Sequence, residues 1–203
     1  MQEHFPYGNQ EGRKKLVAFF HQSRLVSLPN AEEFASGFSP LTLAKHDFLL
    51  VKGKINDEYF FLEEGFMRSF VYDTEGDEIT TGFSSPGQVV FEVNSFFNRV
   101  PSKEFIEALS PVRGWYITYS ELNRLFHEIP EFREFGRQIL VRGFSGLKVR
   151  MLSLITETAE ERYAALMHSN PEIFSHAPLK TIASFLGITD TSLSRIRKDF
   201  SKK

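Results

Sequence analysis

The residues of this chain most able to do chemistry cluster near its end, in Leu179 to Lys198, LKTIASFLGITDTSLSRIRK. Lys180, Arg195, Arg197 and Lys198 are cations, and Thr189, Thr191 and Ser192 are short hydroxyl side chains. Cations and hydroxyls one helical turn apart can meet phosphate oxygens and base edges together. The spacing also predicts how they are held. Leu179, Ile182, Ala183 and Leu186 fall at helical offsets and form an apolar stripe facing inward. Gly187 follows as a left-handed stop and Ile188 as an apolar plug. Thr189 reads as the N-cap of a second helix, with Asp190 at its positive end. Leu193 and Ile196 then point to the core, leaving Thr191, Ser192, Arg195 and Lys198 on outward or flanking faces. Two short helices joined by a tight turn, with a hydrogen-bonding cationic outer face, describe a DNA-binding helix-turn-helix. The competing reading is a helical hairpin that only packs. Charge decides between them: the last twenty-five residues carry +4, in a chain of net charge −2.

Other chemistry is excluded or unsupported. There is no cysteine, so disulfides, thiolate metal sites and cysteine nucleophiles are ruled out together. His4, His21, His46, His127, His168 and His176 show no paired metal spacing, and each reads as a surface or capping residue. No Gly-rich phosphate loop or nucleophile elbow occurs, so an enzyme is not expected. The N-terminus, MQEHFPYGNQEGRKK, lacks an apolar h-region, and no run of eighteen apolar residues is present. A cytoplasmic protein without membrane contact is the expectation. With 203 residues, 41% of them hydrophobic and 22 phenylalanine, the chain can bury a sizeable core.

The elements that must position the basic end follow from periodicity. Residues 1–12 read as loose, Lys14 to Arg24 as a short helix, and Asn30 as the N-cap of a second one. From Leu41 the pattern becomes strands: Phe48 to Val51, Tyr59 to Leu62, Phe66 to Tyr72 and Glu78 to Phe83. Asp73 to Asp77 is a hairpin loop in which Gly76 supplies positive φ. Phe105 to Leu109 and Gly114 to Thr118 read as a further strand pair turned at Ser110-Pro111. This is the spacing of an antiparallel sandwich or barrel. Thr118 and Glu121 form a capping box for a helix stopped by Pro130. From about Glu131 a long helix carries Leu140, Phe144, Leu147, Met151 and Leu154 at alternating steps of four and three, a heptad seam. Gly136, Gly143 and Gly146 would let a partner helix approach closely. The seam could also pack on the chain's own β region; a parallel twofold dimer is the preferred expectation. Thr158 to His168 is one more amphipathic helix, ended at Asn170-Pro171.

Taken in order, these pieces resemble the Crp/Fnr family of bacterial transcription regulators. The resemblance rests on Glu58 to Phe83, the turn Ser85-Pro86-Gly87-Gln88, Ile117 to Phe132, Glu161 to Met167 and the helix-turn-helix. It implies an α+β fold: an antiparallel, jelly-roll-like β-roll with flanking helices (1–130), a long dimerisation helix (131–156) and a helix-turn-helix domain (157–203). Where the resemblance puts an effector pocket, this chain has Phe91 and Glu92, Ser102 and Lys103, and Leu147 and Lys148. Glu92 matches the family's ribose-binding carboxylate. The family's phosphate-binding Arg-Ser pair and adenine-contacting Thr-Ser pair are replaced, and Phe91 stands where glycine allows close backbone approach. No response to cyclic AMP is therefore expected, no cofactor is expected, and a small effector of other chemistry stays open. On the recognition helix the family's Arg-Glu pair is replaced by Asp190-Thr191, with Arg195 one turn on, so the DNA target should differ. Five residues follow Lys198, too few for the family's wing, which is expected to lower affinity.

The expected function is a dimeric DNA-binding transcription regulator whose partners are double-stranded DNA and a second copy of itself, with RNA polymerase a further candidate. The alternative is a small-ligand-binding β-roll module whose terminal helices mediate protein contacts.

Overall fold

The computed structural model describes residues 13–201. The expectations for residues 1–12, for His4 and for the charges of Lys202 and Lys203 lie outside them. Helices α1 (Lys14–His21) and α2 (Leu28–Ser36) open the chain. Asn30 is not the cap of α2: Ser27 holds that position and Pro29 occupies the first turn, where its fixed φ suits a helix start. The Asn30 amide instead donates to Glu131 Oε2 at 2.8 Å.

Eight strands follow among the described residues: β1 (Ser39–Leu43), β2 (Phe48–Leu50), β3 (Glu58–Glu64), β4 (Met67–Tyr72), β5 (Glu78–Ser84), β6 (Val89–Val90), β7 (Phe105–Ala108) and β8 (Val112–Thr118). The short helix α3 (Val93–Asn98) separates β6 from β7. They form two four-stranded antiparallel sheets, in the orders β1-β8-β3-β6 and β2-β7-β4-β5. The expected pairing of β7 with β8 is thus corrected, since the chain changes sheets at Ser110-Pro111 instead of turning back on itself. The corner is fixed from both sides. Ser110 Oγ accepts the Phe66 N–H at 3.0 Å, and Gly65, at φ +92°, sits so close to the Pro111 carbonyl that a side chain would collide with it.

Strand β3 shows why the β region is so rich in phenylalanine. Phe60 and Leu62 face the space between the sheets, with Met67, Ile106 and Val112. Tyr59 and Phe61 face the other way, against a second core built from Leu16, Phe20, Phe34, Trp115, Leu122, Phe132 and Phe135. A strand buried on both faces loses apolar-polar alternation. Burial pushes the Tyr59 hydroxyl well above its ordinary pKa.

Helix α4 (Tyr119–Glu128) begins with the expected Thr118–Glu121 capping box. Helix α5 (Pro130–Thr156) runs for 27 residues, buries Phe132, Phe135 and Gly136 in the second core, and then leaves the body of the roll. Gly136 serves this packing and not a partner helix: a Cβ there would run into the Phe126 ring of α4. Gly143 and Gly146 face open space. Helices α6 (Ala159–Ser169), α7 (Ile173–His176), α8 (Leu179–Leu186) and α9 (Asp190–Phe200) complete the chain, α6 behind a second capping box of Thr158 and Glu161. Among the described residues no helix is long and apolar enough to cross a membrane.

Candidate nucleic-acid interface and effector pocket

The helix-turn-helix is built by the residues that spaced it. Ile182, Ala183 and Leu186 of α8 and Leu193 and Ile196 of α9 are buried together with Tyr163, Leu166 and Ile173. Leu179 is the exception: at 38% exposure it sits at the rim of the stripe and not in the core. Gly187 takes φ +68°, its N–H bonding the Ser184 carbonyl at 3.0 Å, and Ile188 packs in the turn. Thr189 caps α9, its Oγ1 accepting the Ser192 N–H at 3.2 Å.

This geometry leaves Thr191, Ser194, Arg195 and Lys198 exposed on one side of α9, with Asp190 and Arg197 exposed beside them. Ser192 is half-buried beside the cap. The sequence reading passed over Ser194, although its place three residues after Thr191 puts it on the same face. Lys180, exposed on α8, reaches Asp77 of the β4–β5 loop at 3.8 Å. The face offers hydroxyl donors and acceptors flanked by guanidinium and ammonium groups, a set suited to phosphates and base edges.

The domain is docked on the roll. Phe66, Leu109 and Phe83 join its core, the Phe83 and Phe185 rings lie 4.8 Å apart, and His176 stacks on Phe66 at 4.2 Å. Asn170 donates to Ser85 Oγ at 2.8 Å. Sequence periodicity carries no signal for this docking, because Phe66 and Phe83 read as ordinary strand residues.

The six pocket residues have separate employments. Phe91 packs against Tyr59, Phe96 and Phe97, ring centroids 4.8, 5.4 and 5.9 Å away. The Glu92 carboxylate caps α3, accepting N–H bonds from Asn94 at 2.9 Å and Ser95 at 2.8 Å. Ser102 is buried with its hydroxyl donating to the Glu104 carbonyl at 3.1 Å, while Lys103 is exposed. Leu147 and Lys148 lie on the exposed part of α5. Nearby, burial pushes the Glu104 carboxyl above the ordinary carboxylate range, reinforced by the Glu92 charge. Phe91, Glu92 and Glu104 bring aromatic and acidic groups to this place, a poor match for a phosphate.

On α5, Leu140, Phe144, Leu147, Met151 and Leu154 are 38%, 70%, 66%, 52% and 43% exposed, so the seam is not used against the chain's own roll. Val141, Leu152 and Ile155 widen the apolar surface.

Residues 40–128 match the family model described as the cyclic nucleotide-binding domain. The chain is 25% identical over 155 residues to the fumarate and nitrate reduction regulatory protein of Yersinia pestis, covering 70% of this chain and 61% of that protein. It spans about three fifths of the length of such curated relatives. Among solved structures, FixK2 from Bradyrhizobium japonicum superposes with a TM-score of 0.71 at 17% identity, covering 81% of this chain and 85% of that one. A transcriptional regulator of the Crp/Fnr family from Eubacterium rectale gives 0.69 at 14% identity, covering 90% and 87%.

Proposed function

We propose that the chain is a Crp/Fnr-family regulator that acts as a homodimer on double-stranded DNA, with residues 1–130, 131–156 and 157–203 as roll, dimer helix and DNA-binding domain. The observation that carries the reading is the division of α9: Leu193 and Ile196 are buried while Thr191, Ser194, Arg195 and Lys198 are exposed on one side. Arg195 forks onto the O6 and N7 atoms of a guanine, Thr191 and Ser194 meet neighbouring bases or phosphates, and Lys180, Arg197 and Lys198 hold backbone phosphates. The apolar seam of α5 pairs with its copy, which sets two recognition helices about 34 Å apart, one turn of the duplex.

Control does not run through cyclic AMP. Glu92 has its carboxylate committed to the α3 cap, Phe91 belongs to an aromatic cluster, and a buried serine, Ser102, stands where a guanidinium would be needed. A phosphate placed there forfeits a charge-assisted bond of about 1.5–3 kcal/mol.

Selection of duplexes from a genomic library, followed by gel shifts with Arg195→Ala, tests the reading. The variant should stay dimeric and lose selective binding by about 1–3 kcal/mol per half-site. Selective binding equal to that of the unaltered chain would overturn it.

A further inference from the structure

The C-terminal end of α8 is held by two guanidinium groups that come from different helices. Arg150, on α5, lies with its Cζ 3.6 Å from the centroid of the Phe185 ring and donates from Nη2 to the Phe185 carbonyl at 2.8 Å. Arg162, on α6, donates from Nε to the Leu186 carbonyl at 3.0 Å and from Nη1 to the Glu157 carbonyl at 2.5 Å. Both α8 carbonyls belong to its last turn, where acceptors lack intrahelical partners and the helix dipole is negative. The second contact from α5 is made by Leu154, whose Cδ2 stands 3.3 Å from where a Gly187 Cβ would be. One turn of α5, Arg150 to Leu154, therefore touches the turn of the helix-turn-helix.

The same stretch belongs to the seam. Arg150 follows Leu147 by three residues and precedes Leu154 by four, so it borders the exposed apolar stripe. Between α5 and α6 the chain leaves helical geometry only at Glu157 and Thr158, both extended, with ψ 149° and 162°. Two extended residues are a hinge unless something spans them. Arg150 spans them, from the dimer side of the hinge directly to α8, beside Leu154 and in addition to the docking of the domain on the roll.

We infer that Arg150 is a positioning residue: it ties the dimer helix to the helix-turn-helix and so fixes the separation of the two recognition helices. Its guanidinium does this with a planar stack and a directed bond at once, which an ammonium cannot reproduce. Without it each helix-turn-helix keeps its own core, its α9 face and its docking on the roll, but loses the direct tie from its turn to the dimer helix across Glu157–Thr158. The result is a dimer that reads each half-site and tolerates wrong spacing. The inference rests on the regulator reading above.

The experiment uses the full chain and duplexes carrying its selected half-sites at the optimal separation and with one or two base pairs inserted or removed. The unaltered protein should lose about tenfold or more in affinity at each wrong spacing. Arg150→Met should bind the optimal duplex about tenfold more weakly and show less than about a threefold spacing penalty, with dimerisation in sedimentation unchanged. Arg150→Lys should recover part of the affinity without restoring the penalty. Arg150→Gln, which leaves the Phe83–Phe185 ring contact in place, should flatten the spacing profile too, and decides the matter should Arg150→Met fold poorly. A variant pair with the full spacing penalty would overturn the role of Arg150 alone. Absence of any duplex binding by the unaltered dimer would overturn the regulator reading and this inference with it.

Discussion

The Thr80 backbone N–H donates to Ser184 Oγ at 2.9 Å, and the same hydroxyl donates to the Glu78 carbonyl at 3.0 Å. One side chain of α8 thus satisfies a donor and an acceptor of β5, the outermost strand of its sheet. Outer strands carry unpaired groups that must be met by water, another strand or a covering element, and here the covering element is the helix-turn-helix. The β-roll and the helix-turn-helix domain share polar contacts as well as an apolar core.

Ser184→Ala removes both bonds while keeping α8 intact. Thr80 is only 1% exposed, so its N–H would be left buried without a partner, a cost of about 1–3 kcal/mol. Urea unfolding should show that loss, and amide exchange should accelerate first at Thr80. Unchanged protection of the Thr80 amide would show that the docking does not depend on this hydroxyl.

Binding to duplex should be strongly salt-dependent. With about three phosphates met by each subunit, log K falls against log salt with a slope near −5 for the dimer. Lys198→Ala should weaken binding similarly on all sequences and reduce the slope by about 1 per subunit. A slope that does not change places Lys198 away from the backbone.

Calorimetry with cyclic AMP should give no micromolar binding. The acidic and aromatic surroundings of Phe91, Glu92 and Glu104 hold no guanidinium in the place of Ser102, and a cation added in solution cannot supply a fixed one. A micromolar dissociation constant would refute the separation of this chain from cyclic-nucleotide control.

Much of this was legible in the residues themselves. Capping chemistry is local, so Thr118–Glu121 and Gly187–Thr189 announced their helix ends directly. The wide apolar face of α5 was legible because its seam repeats along one helix. What needed the fold was non-local. Phe105 to Leu109 and Gly114 to Thr118 read as the two strands of one hairpin, yet the corner at Ser110-Pro111 places them in different sheets, and no local pattern distinguishes a corner from a turn. Glu92 reads as a ligand group only through the family resemblance, and that its carboxylate caps α3 is visible only in the fold. The contacts of Arg150 and Ser184 with distant elements lay beyond periodicity altogether, since each depends on how one unit sits on another.

Stability should depend on pH through Glu104. Its folded-state pKa is raised, chiefly by burial, so the folded protein binds this proton more tightly than the unfolded chain does. Below the unfolded value both states are protonated and there is no effect; as pH rises through the folded value, stability falls by the cost of ionising a partly buried group. Glu104→Gln should therefore be more stable than the unaltered chain at pH 8 and indistinguishable from it near pH 3.5, read from urea midpoints. Equal midpoints at pH 8 would mean that the carboxylate ionises there without cost.

The dimer seam is open to the sharpest single substitution. Leu147 is 66% exposed in the isolated chain, so Leu147→Glu removes no contact within it and should change its unfolding free energy by less than about 0.5 kcal/mol. In a twofold pairing of α5 the position occurs twice, and losing two buried leucines at about 1.5–3 kcal/mol each weakens association by about a hundredfold or more. Sedimentation at micromolar concentration should find the variant monomeric, and gel shifts should find it unable to hold both half-sites while each recognition helix remains folded. If Leu147→Glu sediments as the unaltered dimer does, α5 is not the axis of assembly, and the 34 Å separation assigned to the recognition helices loses its structural basis.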